Sequence, residues 1–448
     1  MNDSIVRRGF DRVRALVGIG PQSGKPLSAK QLQHLRQQLK ECADGRGGEV
    51  SARQRAVRLG ASYLGLDDNG RREFLRLIAL EFGPDPRTVE KAHAAYQAAV
   101  GSPGQWDAEA GLRRAMRSSR IRILTHLNAL PQGVKFLVDL RADLLRYVDD
   151  QPELAAFDRE LEARLSAWFD VGFLELARIT WNSPAALLEK LIQYEAVHEI
   201  RSWNDLRNRL DSDRRCYAFF HPRMPNEPLI FVEVALTDRL AGSVQALLDE
   251  AAPVFDAERA DTAIFYSISN TQPGLRGVSF GNFLLKRVID DLQRDFPKLK
   301  TFATLSPLPQ LASWAKRTPE ALAEAGIALD VKTLAAGAWQ QDAKLARRQR
   351  EPLLALAARY LLEGGKGERP YDAVARFHLG NGARIERLNW LADTSARGFR
   401  QSFGLMVNYV YVPDEIESNV EAYVDGGRRA ASASVRRQAK ITSRRQND

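Results

Sequence analysis

Apolar residues recur three and four positions apart through most of the first 168 residues, and they almost never alternate. Leu32, Leu35 and Leu39 follow Ser28, a candidate cap. Leu75, Ile78 and Phe82, with Phe74 and Leu77 beside them, form a stripe that stops at Gly83-Pro84. Asp85-Pro86 opens a further segment with Val89, Ala92 and Tyr96 on one face. Ile121, Leu124 and Leu127 mark another helix, and residues 134–147 and 154–169 two more. No repeat of fixed period runs through this part.

The pattern changes after Trp181. Residues 184–200 and 203–210 still read as helices, but 216–220 reads as a short strand. Residues 229–237 alternate, with Ile230, Val232, Val234 and Leu236 on one face. The three prolines of 221–228 suit a hairpin connection, and a short helix is expected over 244–250. Residues 263–269 then predict a strand, 270–281 a turn holding Gly274, Gly277 and Gly281, and 282–296 a helix. Its stripe is Leu285, Val288, Ile289, Leu292 and Phe296, and Pro297 ends it. Residues 299–305 predict a second strand, broken by Ser306-Pro307. Helical segments fill most of 311–363, and Leu405, Val407, Tyr409 and Tyr411 share one face of a final strand. Helices first and mixed elements afterwards predict an α+β chain. The expected parts are a helical bundle over 1–168, a mixed α/β domain over 169–425 and a disordered tail over 426–448.

Composition narrows this picture. At 448 residues with 44% hydrophobic and 27% charged residues, the chain reads as soluble, globular and of two domains. No apolar run reaches the roughly 18–20 residues that span a bilayer, so no membrane partner is expected. Met1-Asn2-Asp3-Ser4 is not the start of a signal peptide, and Cys42 and Cys216 stand far apart, which suits a reducing cytoplasm. The net charge of +9 resides mainly in the last 23 residues, where seven Lys and Arg face one Asp. Aromatic residues do not interleave with that tail, so specific nucleic-acid recognition is not expected.

The chemistry-bearing candidates are few. A Gly-rich turn between a strand and a helix is a candidate anion site, because helix N-terminal amides lack internal partners; its bland reading is a flexible connection whose glycines only permit positive φ. His34, His93, His126, His198, His221 and His378 show no metal-ligand spacing. His378 precedes Gly380-Asn381-Gly382 and is either an exposed acid–base group or a packed ring. Ser306 before Pro307 is an ordinary turn pair on its residues alone. His221, among prolines, reads as a loop residue.

Five motifs in one order carry a resemblance: Gln272-Pro273-Gly274-Leu275-Arg276-Gly277-Val278-Ser279-Phe280-Gly281, Leu305-Ser306-Pro307-Leu308-Pro309, Phe377-His378-Leu379-Gly380-Asn381-Gly382-Ala383, Asn389-Trp390-Leu391-Ala392-Asp393 and Asn408-Tyr409-Val410-Tyr411. Together they resemble the malonyl-CoA decarboxylase family, strongly over about residues 170–425. The resemblance implies a GNAT-like catalytic domain behind a helical domain used in homo-oligomer assembly, as dimer or tetramer. It implies conversion of malonyl-CoA to acetyl-CoA and CO2 without a cofactor or metal. By the same resemblance Ser306 and His378 are catalytic and Tyr411 lies near the substrate; Asn381 either orients His378 or is a turn residue. Arg276, Gly277, Val278, Ser279, Phe280, Gly281 and Asn282 correspond to the CoA-holding loop, with Ser279 where the pattern has its first Gly. An acyltransferase of the same fold is the alternative, distinguished by its need for an amine acceptor.

Overall fold

The computed structural model describes residues 27–44, 48–278, 283–366 and 369–441. The chain divides into two compact units. One comprises Met1–Asp170 with His221–Pro225 and Gln272–Ser279, the other Val171–Phe220, Asn226–Thr271 and Phe280–Asp448.

The first unit is helical among its described residues. Its helices are α1 (Ala29–Asp44), α2 (Glu49–Leu64), α3 (Asp68–Glu81), α4 (Pro86–Ala99), α5 (Gln105–Ala115), α6 (Arg120–Asn128), α7 (Gly133–Leu145) and α8 (Ala155–Trp168). Asp67 and Asp85 cap α3 and α4 by accepting the backbone N–H of Gly70 and Thr88. Leu39, Leu59, Phe74, Ile78, Leu124, Leu137, Phe157 and Leu161 are wholly buried. The two excursions that sequence assigns to the second domain join this unit for physical reasons. His221 bonds the Trp168 carbonyl at 3.0 Å through Nε2 and accepts the Arg223 N–H at Nδ1. Arg141 on α7, 1% exposed, donates to the carbonyls of Gly274 and Arg276 at 3.0 and 2.7 Å and to Asp158 and Glu162 at 2.9 Å each. Gly274 is obligatory: a Cβ there would lie 1.8 Å from the Val138 carbonyl oxygen.

The second unit is built on an eight-stranded mixed sheet. Its strands are β1 (Glu175–Ile179), β2 (Arg214–Phe220), β3 (Pro228–Thr237), β4 (Thr262–Asn270), β5 (Thr301–Thr304), β6 (Ser306–Pro307), β9 (Arg384–Asn389) and β10 (Met406–Tyr411); β7 (Gly365–Lys366) and β8 (Arg369–Pro370) pair apart. The order is β1-β2-β3-β4-β5-β10-β6, with β9 also on β10. β1 to β4 run antiparallel in sequence order, and β4 pairs parallel with β5. Around the sheet lie α9 (Ala185–Tyr194), α10 (Phe283–Asp295), α11 (Ala343–Leu362), α12 (Ala373–Gly380), α13 (Ile416–Gly426) and α14 (Ala433–Ala439). α10 makes the β4-to-β5 crossover and buries Leu285, Val288, Ile289 and Leu292, each contributing about 1.5–3 kcal/mol.

Several elements depart from the sequence reading. Residues 184–200 are one helix only to Tyr194, because the Glu195 side chain turns back to accept the N–H of Val197 and His198. β1 and β9 are strands whose exposed positions hide their periodicity. The tail expected to be disordered from residue 426 instead carries α14, as far as it is described. Val435 and Ala439, four residues apart, are buried there, and Ile385 and Ala431 form a parallel bridge. The Arg359 guanidinium donates to the Ala439 carbonyl at 3.0 Å, and Arg429 to those of Leu361 and Gly364 at 3.1 Å. Arginine side chains spent on buried carbonyls are architecture, which net charge alone does not reveal.

Candidate active site

The split between β5 and β6 creates the site. β10 pairs with β5 through Val410 and Tyr411, and with β6 through Met406 and Val407. Between these pairings the backbone N–H of Tyr409 donates instead to the Thr304 hydroxyl at 3.1 Å, and the Asn408 amide donates to the Thr304 carbonyl at 2.6 Å. The β9 register also shifts at Asn408/Tyr409. Strand alternation then sets Thr304, Ser306, Val407, Tyr409 and Tyr411 on one face.

His378 reaches this face from the last turn of α12. Asp372 caps the start of that helix, accepting the N–H of Val374 and Ala375, and receives the Tyr360 hydroxyl at 2.8 Å. At the other end the Ala383 N–H returns to the His378 carbonyl, and Gly382 takes φ +81°. A Cβ at Gly382 would sit 2.4 Å from the Ile416 carbonyl oxygen, so this turn demands glycine.

The imidazole joins two predicted residues. Its Nε2 lies 3.1 Å from Ser306 Oγ and its Nδ1 2.7 Å from the Tyr411 hydroxyl. Ser306 Oγ donates to Thr304 Oγ1 at 2.8 Å. The His378 ring stacks on Tyr409, with centroids 4.5 Å apart and planes at 26°. Every member is buried, Ser306 least at 6% exposed and Thr304 wholly. Asn381 meets this set only through its backbone, whose N–H donates to the His378 carbonyl at 3.2 Å. Its side-chain amide donates to the Phe377 carbonyl at 2.7 Å and its φ is −95°, so it closes the end of α12 and Gly382 is the left-handed residue. Of the loop candidates, Arg276 and Gly277 are exposed, Gly277 at φ +88°, and Val278 is buried. Ser279, Phe280, Gly281 and Asn282 lie outside the described residues.

Burial pushes the His378 imidazole down to about 3, despite the favourable helix C-terminus. Burial holds the Tyr411 and Tyr409 phenols well above their ordinary value. The ring is therefore neutral at neutral pH, with one nitrogen donating and one accepting. Because Ser306 spends its hydrogen on Thr304, its lone pairs face Nε2. The consistent network is then Tyr411 O–H to Nδ1, Nε2–H to Ser306 Oγ, and Ser306 O–H to Thr304 Oγ1. The partner of Nδ1 is a phenol, not the carboxylate that stabilises an imidazolium when a serine is activated for attack. This arrangement suits delivery of a proton toward Ser306 more than its removal.

The sequence reading assigns no part in the site to Thr304, Asn408 or Tyr409. The available signal was position: Thr304 precedes Ser306 by two and Tyr409 precedes Tyr411 by two, each on the same strand face. His198 stands apart from this set and is pushed down to about 4 by burial. Among the described residues no group of three or more His, Cys, Asp or Glu side chains is placed to hold a metal ion. No helix there is long and apolar enough to cross a membrane.

Comparison with known proteins agrees with these motifs. Residues 172–448 match the family described as malonyl-CoA decarboxylase C-terminal domain, and residues 82–169 the malonyl-CoA decarboxylase N-terminal domain. The mitochondrial malonyl-CoA decarboxylase of Anser anser anser is 38% identical over 408 residues, covering 83% of this chain and 81% of that protein. That of Mus musculus is 37% identical over 408 residues, 83% of this chain and 82% of that protein. The crystal structure of malonyl-CoA decarboxylase from Rhodopseudomonas palustris superposes with a TM-score of 0.83 at 43% identity, covering 92% of this chain and all of that one. The Cupriavidus metallidurans structure gives 0.72 at 45%, with 92% and 100% covered.

Proposed function

The chain belongs to the malonyl-CoA decarboxylase family, and from that premise we propose that Ser306, His378 and Tyr411 form the proton relay with which it converts malonyl-CoA to acetyl-CoA and CO2. The observation that carries this reading is the hydrogen-bonded line from Tyr411 through both imidazole nitrogens to Ser306. Loss of CO2 leaves the C–C bonding pair as an enolate, with charge on the thioester oxygen. One proton must then reach C2. Ser306 gives its hydroxyl proton to that carbon, His378 Nε2–H replaces it on Oγ, and the Tyr411 proton shifts to Nδ1 so that the imidazole stays neutral; the net proton consumed in each turnover then enters from water at Nε2, and the Nδ1 proton returns to the Tyr411 oxygen. Tyr411, a neutral phenol between turnovers, keeps Nδ1 supplied with a donor. Acid–base help of this kind is typically worth about 10²–10⁴-fold.

The CoA moiety belongs, on this reading, to the β4–loop–α10–β5 crossover of a GNAT-like sheet, with residues 276–282 as the pyrophosphate loop. Its support is the parallel β4/β5 pair and the amphipathic helix between them. The helical unit serves homo-oligomer assembly, and two buried, free cysteines fit a reducing compartment such as the cytoplasm. No cofactor enters the relay.

The test is the separation of turnover from binding. Ser306→Ala and His378→Ala should each lower kcat by about 10²-fold or more while CoA affinity, measured by calorimetry, changes by less than about threefold. Equal and large losses of affinity in both would make these residues structural and overturn the assignment.

A further inference from the structure

The relay ends on a residue with no assigned part in the chemistry. Thr304 is wholly buried, two positions before Ser306 on the same face. Its Oγ1 accepts the Ser306 hydroxyl at 2.8 Å and the Tyr409 N–H at 3.1 Å. Tyr409 in turn stacks on His378, the other partner of Ser306. Thr304, Ser306, His378 and Tyr409 thus close a circuit in which one threonine oxygen fixes both the serine rotamer and the strand that carries the aromatic platform. The circuit stands where β10 changes partner from β5 to β6, so no backbone pairing could take its place.

We propose that Thr304 is a positioning residue for the decarboxylation: at rest it holds the Ser306 proton away from His378, so that the serine lone pair stays turned to Nε2–H. When the enolate carbon arrives as a stronger acceptor, the Ser306 proton leaves Thr304 for C2, the Nε2 proton moves to Oγ and the Tyr411 proton moves to Nδ1. The serine thereby works as an acid, and its oxygen is never bared as a nucleophile. Without the Thr304 oxygen, Ser306 turns its own hydrogen to the nearest remaining acceptor, an imidazole nitrogen, and the relay points backward. This inference rests on the assignment of Ser306 and His378 as the relay.

The experiment is a cycle of Thr304→Val, Thr304→Ser and Ser306→Ala in the full chain, assayed by acetyl-CoA release, with urea unfolding beside it. Thr304→Val should lower kcat by roughly tenfold or more and change KM by less than about threefold, because misorientation of a reacting group acts on the chemical step. Thr304→Ser should return most of kcat. In the Ser306→Ala background Thr304→Val should cost nothing further, since the group it positions is gone. Equal loss in both backgrounds, or a Thr304→Ser enzyme as slow as Thr304→Val, overturns the inference and leaves Thr304 a packing residue. If Thr304→Val fails to fold, the Thr304→Ser and Thr304→Ala pair carries the same comparison. A Ser306→Ala enzyme with full kcat would instead overturn the underlying relay, so the two failures are distinct.

Discussion

Tyr411→Phe removes a single oxygen and leaves the ring that packs edge-on against Phe265 at 6.4 Å. That oxygen is the partner of His378 Nδ1 at 2.7 Å, in a place with almost no access to water. The imidazole of the variant must leave one buried nitrogen unpaired whichever tautomer it adopts. An unsatisfied buried polar atom costs about 1–3 kcal/mol, and the urea midpoint should fall accordingly. The same loss bears on catalysis, because Nδ1 loses the donor that fixes Nε2–H toward Ser306. At about 1.4 kcal/mol per tenfold, the cost corresponds to roughly 5–150-fold in kcat. KM should change by less than about threefold, since Tyr411 acts through the imidazole. The assay is steady-state acetyl-CoA release beside urea unfolding followed by circular dichroism. A variant that loses stability yet retains full kcat would refute the reasoning, because the phenol would then be a packing group only.

Two further outcomes follow from buried charge. Arg141→Gln should lower folding stability by about 3–5 kcal/mol in urea unfolding, since Asp158, at 14% exposed, loses its cation and the Gly274 and Arg276 carbonyls their donor; an unchanged midpoint would contradict that account. Acid should also destabilise the fold. His378 and His198, pushed down to about 3 and about 4, take up protons near pH 6.5 only when unfolded. Their contribution is therefore complete above pH 6.5 and is lost as pH falls toward those values. At pH 5 the loss is about 2 kcal/mol for each histidine, and His198→Gln should flatten the midpoint-against-pH curve by one such share.

What could be read beforehand was local. The β4–turn–α10–β5 crossover declares itself because alternation, glycines and a 3, 4 stripe each report on a few neighbouring residues. Ser306 and His378 are 72 positions apart, and what joins them is β10 lying between β5 and β6, a pairing that no local pattern encodes. Their motif resemblance could name them, but it could not foresee that Nδ1 meets Tyr411 or that Thr304 receives the serine proton. Which residue makes the turn after His378 is hidden for a related reason. Gly382 is pressed against the Ile416 carbonyl and takes the left-handed turn, leaving Asn381 to close the helix. The C-terminal segment hid its order behind Arg429, whose guanidinium caps carbonyls of a helix end more than sixty residues away. α2 and α5 carry no clear stripe in sequence because Ser, Gly and Arg interrupt their apolar positions.

The relay itself is tested most directly by whether its members act as one device. Ser306→Ala, His378→Ala and the double variant should be compared in kcat for malonyl-CoA, each shown to be folded. The account predicts that the double variant is no slower than the slower single one, because a broken relay cannot be broken twice. If the two losses multiply, Ser306 and His378 act independently, and the hydrogen bond between them does not carry the proton.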